Sequence, residues 1–274
     1  MLADAFPSAL GVIASAVFLF ASIYIYVALI RQISARKSTT ESSVAVAPAK
    51  TFGLPEAILA AALVSYLLLN VLASLSRSTI PLKDRDLVAN LVVTILVLLF
   101  VAAFLKIRGL DLNSLGGFSR VSFLRTASTG IILLLAGYPL IALADAIAQL
   151  TFGTGSSKQG IVDLFNQSHT LEQRIMIIVL AVAVAPVAEE FIFRFFLYGV
   201  LKRYLGVGLG IFLNALLFAA VHAHLPSFAP LFVLGACFTL AYEWSGSILV
   251  SMTMHSLFNS VTLAILAFPE LFQQ

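Results

Sequence analysis

The sequence predicts an all-α, polytopic integral membrane protein of about eight transmembrane helices around an intramembrane polar cavity, and three observations predict it. The chain is 61% hydrophobic and 11% charged, with 22 Phe against one Trp and a mean hydropathy of +1.05, far from soluble averages. Its apolar residues fall in runs near the ~20 residues that carry a helix across a hydrocarbon core. One such run, residues 185–203, holds Glu189, Glu190 and Arg194. Ionisable groups at membrane depth are costly, and they face a protein interior or a water-filled cavity.

The first apolar run, residues 8–30, is too long for a signal-peptide core and reads as a retained spanning helix. Residues 34–51 show no amphipathic period and read as a mobile connector. Residues 1–52 are therefore expected to form a peripheral helix with its polar connector, and residues 53–274 a membrane-embedded bundle. Spanning helices follow at 53–75, 87–105 and 127–150. The link between the last two is basic, with Lys106, Arg108, Arg120 and Arg125, and Gly109 and the Gly116-Gly117 pair break any helix through it. Residues 151–170 are polar, with 161–165 expected to form a short interfacial turn. The run 171–204 is longer than a bilayer core unless it is tilted or kinked. Pro186 supplies the kink and should free the carbonyl of Val182 one turn earlier. Runs at 208–223, 230–243 and 247–268 complete eight crossings.

The net charge of +3 is modest, and its basic residues lie mainly between apolar runs, so it carries topology and not a nucleic-acid surface. Arg31, Arg36, Lys37, Lys50, Lys202 and Arg203 join the basic link on one face, against Arg77, Lys83, Arg85, Lys158 and Arg174 on the other. That bias places both termini outside the cytoplasm of a multi-pass protein of the cell membrane. The lone Cys237 excludes an intrachain disulfide and reads as a small core side chain.

Glu190 and Arg194 stand four apart on one helix face and can pair, whereas Glu189 lies about 100° round the helix without a local counter-charge. Asn214, Phe218 and His222 share one stripe of the next helix, and His255 and Asn259 share a face of the last. In an antiparallel hairpin turning near Leu205, Glu189 and His222 sit at equal depth, ~22 to 24 Å from the turn, while His255 would lie only ~12 Å deep if its helix began level with that turn.

Glu189-Glu190-x-x-x-Arg194, Phe218-x-x-x-His222 and His255-x-x-x-Asn259 together resemble the three motifs of the CAAX protease and bacteriocin-processing proteins, the type II CAAX-prenyl or Abi group of glutamic intramembrane endopeptidases. The likeness lies within residues 185–260 and implies peptide hydrolysis without a covalent intermediate. On that resemblance Glu189 activates a water with help from His222, and His255 and Asn259 donate to the oxyanion. Glu190, Arg194 and Phe218 support the site. The implied partner is a membrane-associated peptide or prenylated protein reached through the bilayer, with no nucleic acid and no cofactor.

Three rival readings stay open. A metallopeptidase would use Glu189, Glu190, His222, His224 and His255 as a zinc shell, although His-Glu-x-x-His is absent and His222 and His224 lie about 200° apart on a helix. A transporter would use Asp145, Glu189 and the histidines as an ion path. A non-enzymatic member would serve as an immunity or scaffold protein. The run of Phe191, Phe193, Phe195 and Phe196 reads as lipid contact and helix packing. His169 and His224 read as interfacial hydrogen-bonding groups, and Asp145 as a partner of a neighbouring helix or a cavity wall.

Overall fold

The computed structural model describes residues 9–40, 51–75, 84–118, 122–153, 165, 168 and 170–268. Five helices come first: α1 (Ala9–Thr40), α2 (Leu54–Leu75), α3 (Asp84–Ile107), the short α4 (Leu112–Gly116) and α5 (Phe123–Phe152). A long, mostly helical stretch then runs from Leu171 to Val221. Among the described residues six helices are long and apolar enough to cross a membrane, that stretch included, and Leu91–Ile107 within α3 is a shorter apolar helix.

The 171–221 stretch is two arms. Gly206 adopts φ 81, ψ 172, outside the helical region. A Cβ placed on Gly210 would lie 3.2 Å from the backbone nitrogen of Lys202, whereas eight residues of unbroken helix span ~12 Å. The chain has therefore turned back on itself at Gly206, one residue from the expected turn, giving α6 (residues 171–205) and α7 (residues 207–221). With α8 (Phe228–Ser245) and α9 (Ile248–Ala267), eight apolar arms match the eight runs of the sequence.

Helix α1 is longer than its apolar run, so residues 34–40, read as connector, are helical; residues 41–50 lie outside the described residues. It is fastened to the bundle by its own polar groups. Pro139 lies inside α5 and cannot donate to a carbonyl one turn back. In the turns just before it, Ser22 Oγ donates to the Ala136 carbonyl and Tyr26 Oη to the Leu133 carbonyl at 2.8 Å. Farther along, Arg36 Nη1 donates to the Trp244 carbonyl at 2.7 Å, and Trp244 Nε1 to Gln32 Oε1 at 2.8 Å.

Helix α2 packs against residues 198–221, and α3 packs against residues 185–197. Glu56 ties the start of α2 to the end of α3, accepting from Gly53 N at 2.7 Å and from Arg108 Nε at 3.0 Å. The phenylalanines of α6 are a correction to the expectation of lipid contact: Phe191, Phe193, Phe195 and Phe196 are all buried. Phe191 stacks on Phe195 at 4.9 Å, and Phe52 meets Phe195 and Phe196 edge-on at 6.3 and 6.2 Å. The central part of α6, residues 188–200, runs through the interior of the bundle, and these rings are spent on protein contacts.

The basic link before α5 has a structural task. Asp111 caps α4 through Asn113 N at 3.0 Å, and Gly117 turns the chain with φ 64. The backbone there lies so close to the α8–α9 turn that a Cβ on Gly117 would sit 1.8 Å from the Gly246 carbonyl oxygen. Tyr242 Oη donates to the Leu115 carbonyl at 3.1 Å beside it. Ser247, Ile248 and Val250 are fully buried, so α9 begins beneath protein and not at the molecular surface.

The expected result of Gly117→Ala is a lower unfolding midpoint in detergent than that of Gly153→Ala. Both positions have positive φ and strain an L-residue, but a Cβ at Gly153 meets nothing within 4 Å. Equal losses for the two variants would show that the close approach to Gly246 contributes nothing.

Candidate active site

The site is built on the irregular part of α6. Thr170 and Gln173 form a reciprocal capping box at its start, which satisfies two of the open N–H groups. Two π-helical segments, Leu180–Val184 and Phe191–Leu197, then flank the short α-helical segment Ala185–Glu190; such segments often mark functional sites. The N–H of Ala185 bonds to the Leu180 carbonyl, a five-residue step. On that register the carbonyl of Ala181 would wait for Pro186, which has no N–H. Asn259 of α9 fills the place, donating through Nδ2 at 2.7 Å. Asn259 thus meets the carbonyl of Ala181, one residue before the Val182 carbonyl that a regular α register would free.

Glu190 and Arg194 pair as their spacing requires. Arg194 Nη1 lies 2.8 Å from Glu190 Oε1, and both side chains have zero exposure. Arg194 Nη2 reaches the Gly235 carbonyl at 3.4 Å. Its guanidinium carbon lies 4.2 Å from the ring centre of Phe218, 5.2 Å from Phe238 and 5.9 Å from Phe193. One carboxylate and the faces of aromatic rings thus surround the cation, and attraction to such rings strengthens on desolvation.

His255 joins the two glutamates. Its Nδ1 lies 2.9 Å from Glu190 Oε1, and a carboxylate oxygen accepts, so Nδ1 carries the hydrogen. Its Nε2 lies 3.9 Å from Glu189 Oε2. That approach is favourable when a proton sits on the ring or on the carboxyl, since two lone pairs repel. Phe238 and Phe218 hold the ring at centroid distances of 5.0 and 5.9 Å. Helices starting at one level would leave His255 about two turns shallower than Glu189 and His222, but α9 starts from a buried turn.

His222 follows α7 and accompanies Glu189. Its Nδ1 is 2.7 Å from the Phe218 carbonyl, which can only accept, so in the neutral ring Nε2 keeps its lone pair. Phe218 packs edge-on against His222 at 4.8 Å, and the same ring touches Arg194 and His255. Glu189 and His222 line one cavity of about 300 Å³, as equal depth across a hairpin predicts. Glu189 is the more open of the two acids, with 28% of its side chain exposed. Its Oε2 is nevertheless buried, with no hydrogen-bond partner among the described residues.

Other candidates lie apart from this group. His224 Nδ1 is 2.7 Å from Ser227 Oγ in the turn before α8. Asp145 accepts from Gln149 Nε2 of its own helix at 2.6 Å, rather than from a neighbouring helix. His169 and residues 161–164 lie outside the described residues. Among the described residues, no three His, Cys, Asp or Glu side chains are grouped to hold a metal ion. The cavity also exposes groups that motif spacing missed: Tyr66 and Asn70 on α2 and Thr94 on α3. Their only signal in the sequence is polarity inside apolar runs.

Residues 171–261 match the family model described as Type II CAAX prenyl endopeptidase Rce1-like. The match contains Glu189, Glu190, Arg194, Phe218, His222, His255 and Asn259, and it bears out the resemblance carried by the three motifs. No curated protein and no solved structure matches the chain.

Glu190→Gln should destabilise the protein by about 3–5 kcal/mol, because it leaves the Arg194 cation buried without its counter-charge. The double variant Glu190→Gln/Arg194→Met should recover much of that loss. Denaturant unfolding in detergent measures both, and a Glu190→Gln single variant as stable as wild type would remove the pair from its structural role.

Proposed function

We propose that the protein is an intramembrane peptidase in which Glu189 activates a water for attack on a peptide carbonyl near the C-terminus of a membrane-associated substrate. The family likeness supports a CAAX-type protease. The observation that carries the finer reading is the unequal use of two adjacent acids. Glu190 is engaged by Arg194 and by His255 Nδ1, whereas Glu189 shares an open cavity with His222 and keeps a buried acceptor oxygen without a partner among the described residues.

The chemistry is written with side chains of this protein and one water. Glu189 takes a proton from water as the new C–O bond forms, while the neutral His222 Nε2 accepts a hydrogen bond from the same water. The carbonyl oxygen becomes the oxyanion. One amide hydrogen of Asn259 is used on Ala181, and the second serves as a donor to that oxygen. His255, held by Glu190, presents Nε2 on the Glu189 side and supplies the other donor when it is protonated. The C–N bond breaks as the proton held by Glu189 passes to the leaving nitrogen. Burial makes each of these donors count for more than it would in water.

The zinc reading has less support: His224 is turned to Ser227, and the Oε1 of Glu190 is shared between Arg194 and His255. In the membrane, the proposed arrangement has both termini outside the cytoplasm, and prenylated and unprenylated peptides alike are candidate substrates.

In a detergent assay against farnesylated and unprenylated peptides, Glu189→Gln should reduce cleavage to background with an unchanged unfolding midpoint. Asn259→Ala should slow turnover by about a hundredfold, and strong chelators should leave wild type unaffected. Undiminished cleavage by Glu189→Gln would overturn the assignment. Loss on chelation with recovery on adding zinc would transfer the reading to a metallopeptidase.

A further inference from the structure

The cavity that holds Glu189 and His222 has a second wall, which no family motif covers. Helix α2 contributes Tyr66 and Asn70 to it and α3 contributes Thr94, the rest of these two faces being leucine and valine. This wall lies before residue 171, where the family match begins.

Past its first turn α2 is almost wholly apolar, and its few polar side chains are not equivalent. Ser65 and Ser74 each spend their single hydrogen on a carbonyl of their own helix, Ala61 at 2.9 Å and Val71 at 2.9 Å. Such back-bonding silences a hydroxyl donor. Asn70 does the same through Nδ2, donating to the Tyr66 carbonyl at 2.8 Å, but a primary amide has two hydrogens and a carbonyl oxygen. One N–H and Oδ1 stay uncommitted among the described residues, and the side chain is exposed. Such groups are costly to leave unmet at membrane depth. A side chain of this kind on a cavity wall is a functional-site candidate in the way a buried charge is.

We propose that Asn70 binds the backbone of the substrate peptide, its N–H and C=O pairing with a peptide C=O and N–H beside the bond presented to Glu189. The inference rests on the peptidase reading and extends it to the substrate. An adjacent donor and acceptor complement a peptide unit, whose edge offers the same two groups. A prenyl chain offers neither, and the leucines and valines of the same wall suit it instead. Asn70 is thus a substrate-binding residue that reads main chain and not side chain, which keeps the site tolerant of sequence while fixing which bond lies next to the acid.

The test measures binding apart from cleavage. In a Glu189→Gln background, the affinity of a fluorophore-labelled farnesylated peptide is compared with and without Asn70→Leu. The same comparison is made for analogues in which each backbone amide flanking the scissile bond is replaced by an ester, which removes the N–H donor. Asn70→Leu should weaken binding by about tenfold to a hundredfold, near the worth of two uncharged hydrogen bonds. One ester analogue should bind about tenfold more weakly while Asn70 is present, and should lose little more once Asn70→Leu has been made. Because Asn70 is exposed, Asn70→Ala serves as a second variant with the same expectation. Unchanged affinity in both variants overturns the proposal, and so does an ester penalty that persists undiminished after the substitution. Cleavage of the same peptide by wild type is read in parallel: its absence counts against the peptidase reading, while the binding comparison still decides the role of Asn70.

Discussion

A carboxylate and a guanidinium 2.8 Å apart, both fully buried, lie at the centre of a chain made almost entirely of apolar helices. Removing either charge from water costs several kcal/mol even after relaxation, and their attraction in a low-dielectric interior must offset that cost. The bundle arranges this offset from several sides. Phe193 comes from α6, Phe218 from α7 and Phe238 from α8, and all three rings lie around Arg194. The Gly235 carbonyl of α8 accepts from the same guanidinium. Asn214 Nδ2 donates to Thr239 Oγ1, which donates in turn to that carbonyl. Three helices therefore converge on one ion pair, although Glu190 Oε2 and Arg194 Nε have no hydrogen-bond partner among the described residues.

The asymmetry of the site follows from the same pair. Once Glu190 is bound by Arg194, its Oε1 also receives His255 Nδ1, and the far side of that ring comes to Glu189. Two neighbouring residues of identical chemistry thus acquire different surroundings, one enclosed and neutralised, the other open to a cavity with His222. Environment, not residue type, gives two adjacent carboxylates different properties.

Local periodicity made much of this legible in the sequence. The i, i+4 spacing of Glu190 and Arg194 predicts their contact, and a turn near Leu205 predicts that Glu189 and His222 share a cavity. What stayed hidden depends on distant parts of the chain. His255 looked too shallow because nothing local says that the 109–118 link covers the α8–α9 turn and buries the start of α9. Pro186 points to the right turn of α6, but only the π register there shows that Asn259 meets the carbonyl of Ala181. The phenylalanines of residues 191–196 fit lipid contact as well as core because lipid tails and protein cores are equally apolar, so composition alone does not say which way a membrane helix faces. Asn70, Tyr66 and Thr94 belong to no repeating pattern, and only the packing of α2 and α3 against the α6–α7 hairpin shows what they line.

The proposed mechanism depends most on Glu189 delivering water and not attacking the substrate itself. A single turnover in water enriched in heavy oxygen, followed by mass spectrometry of product and protein, reads this directly. Glutamate-activated water places one heavy oxygen in the new C-terminal carboxylate during the first turnover and leaves Glu189 unlabelled. A first-turnover product carrying only light oxygen, with the label found in the Glu189 carboxylate, would show a covalent acyl intermediate and contradict the account.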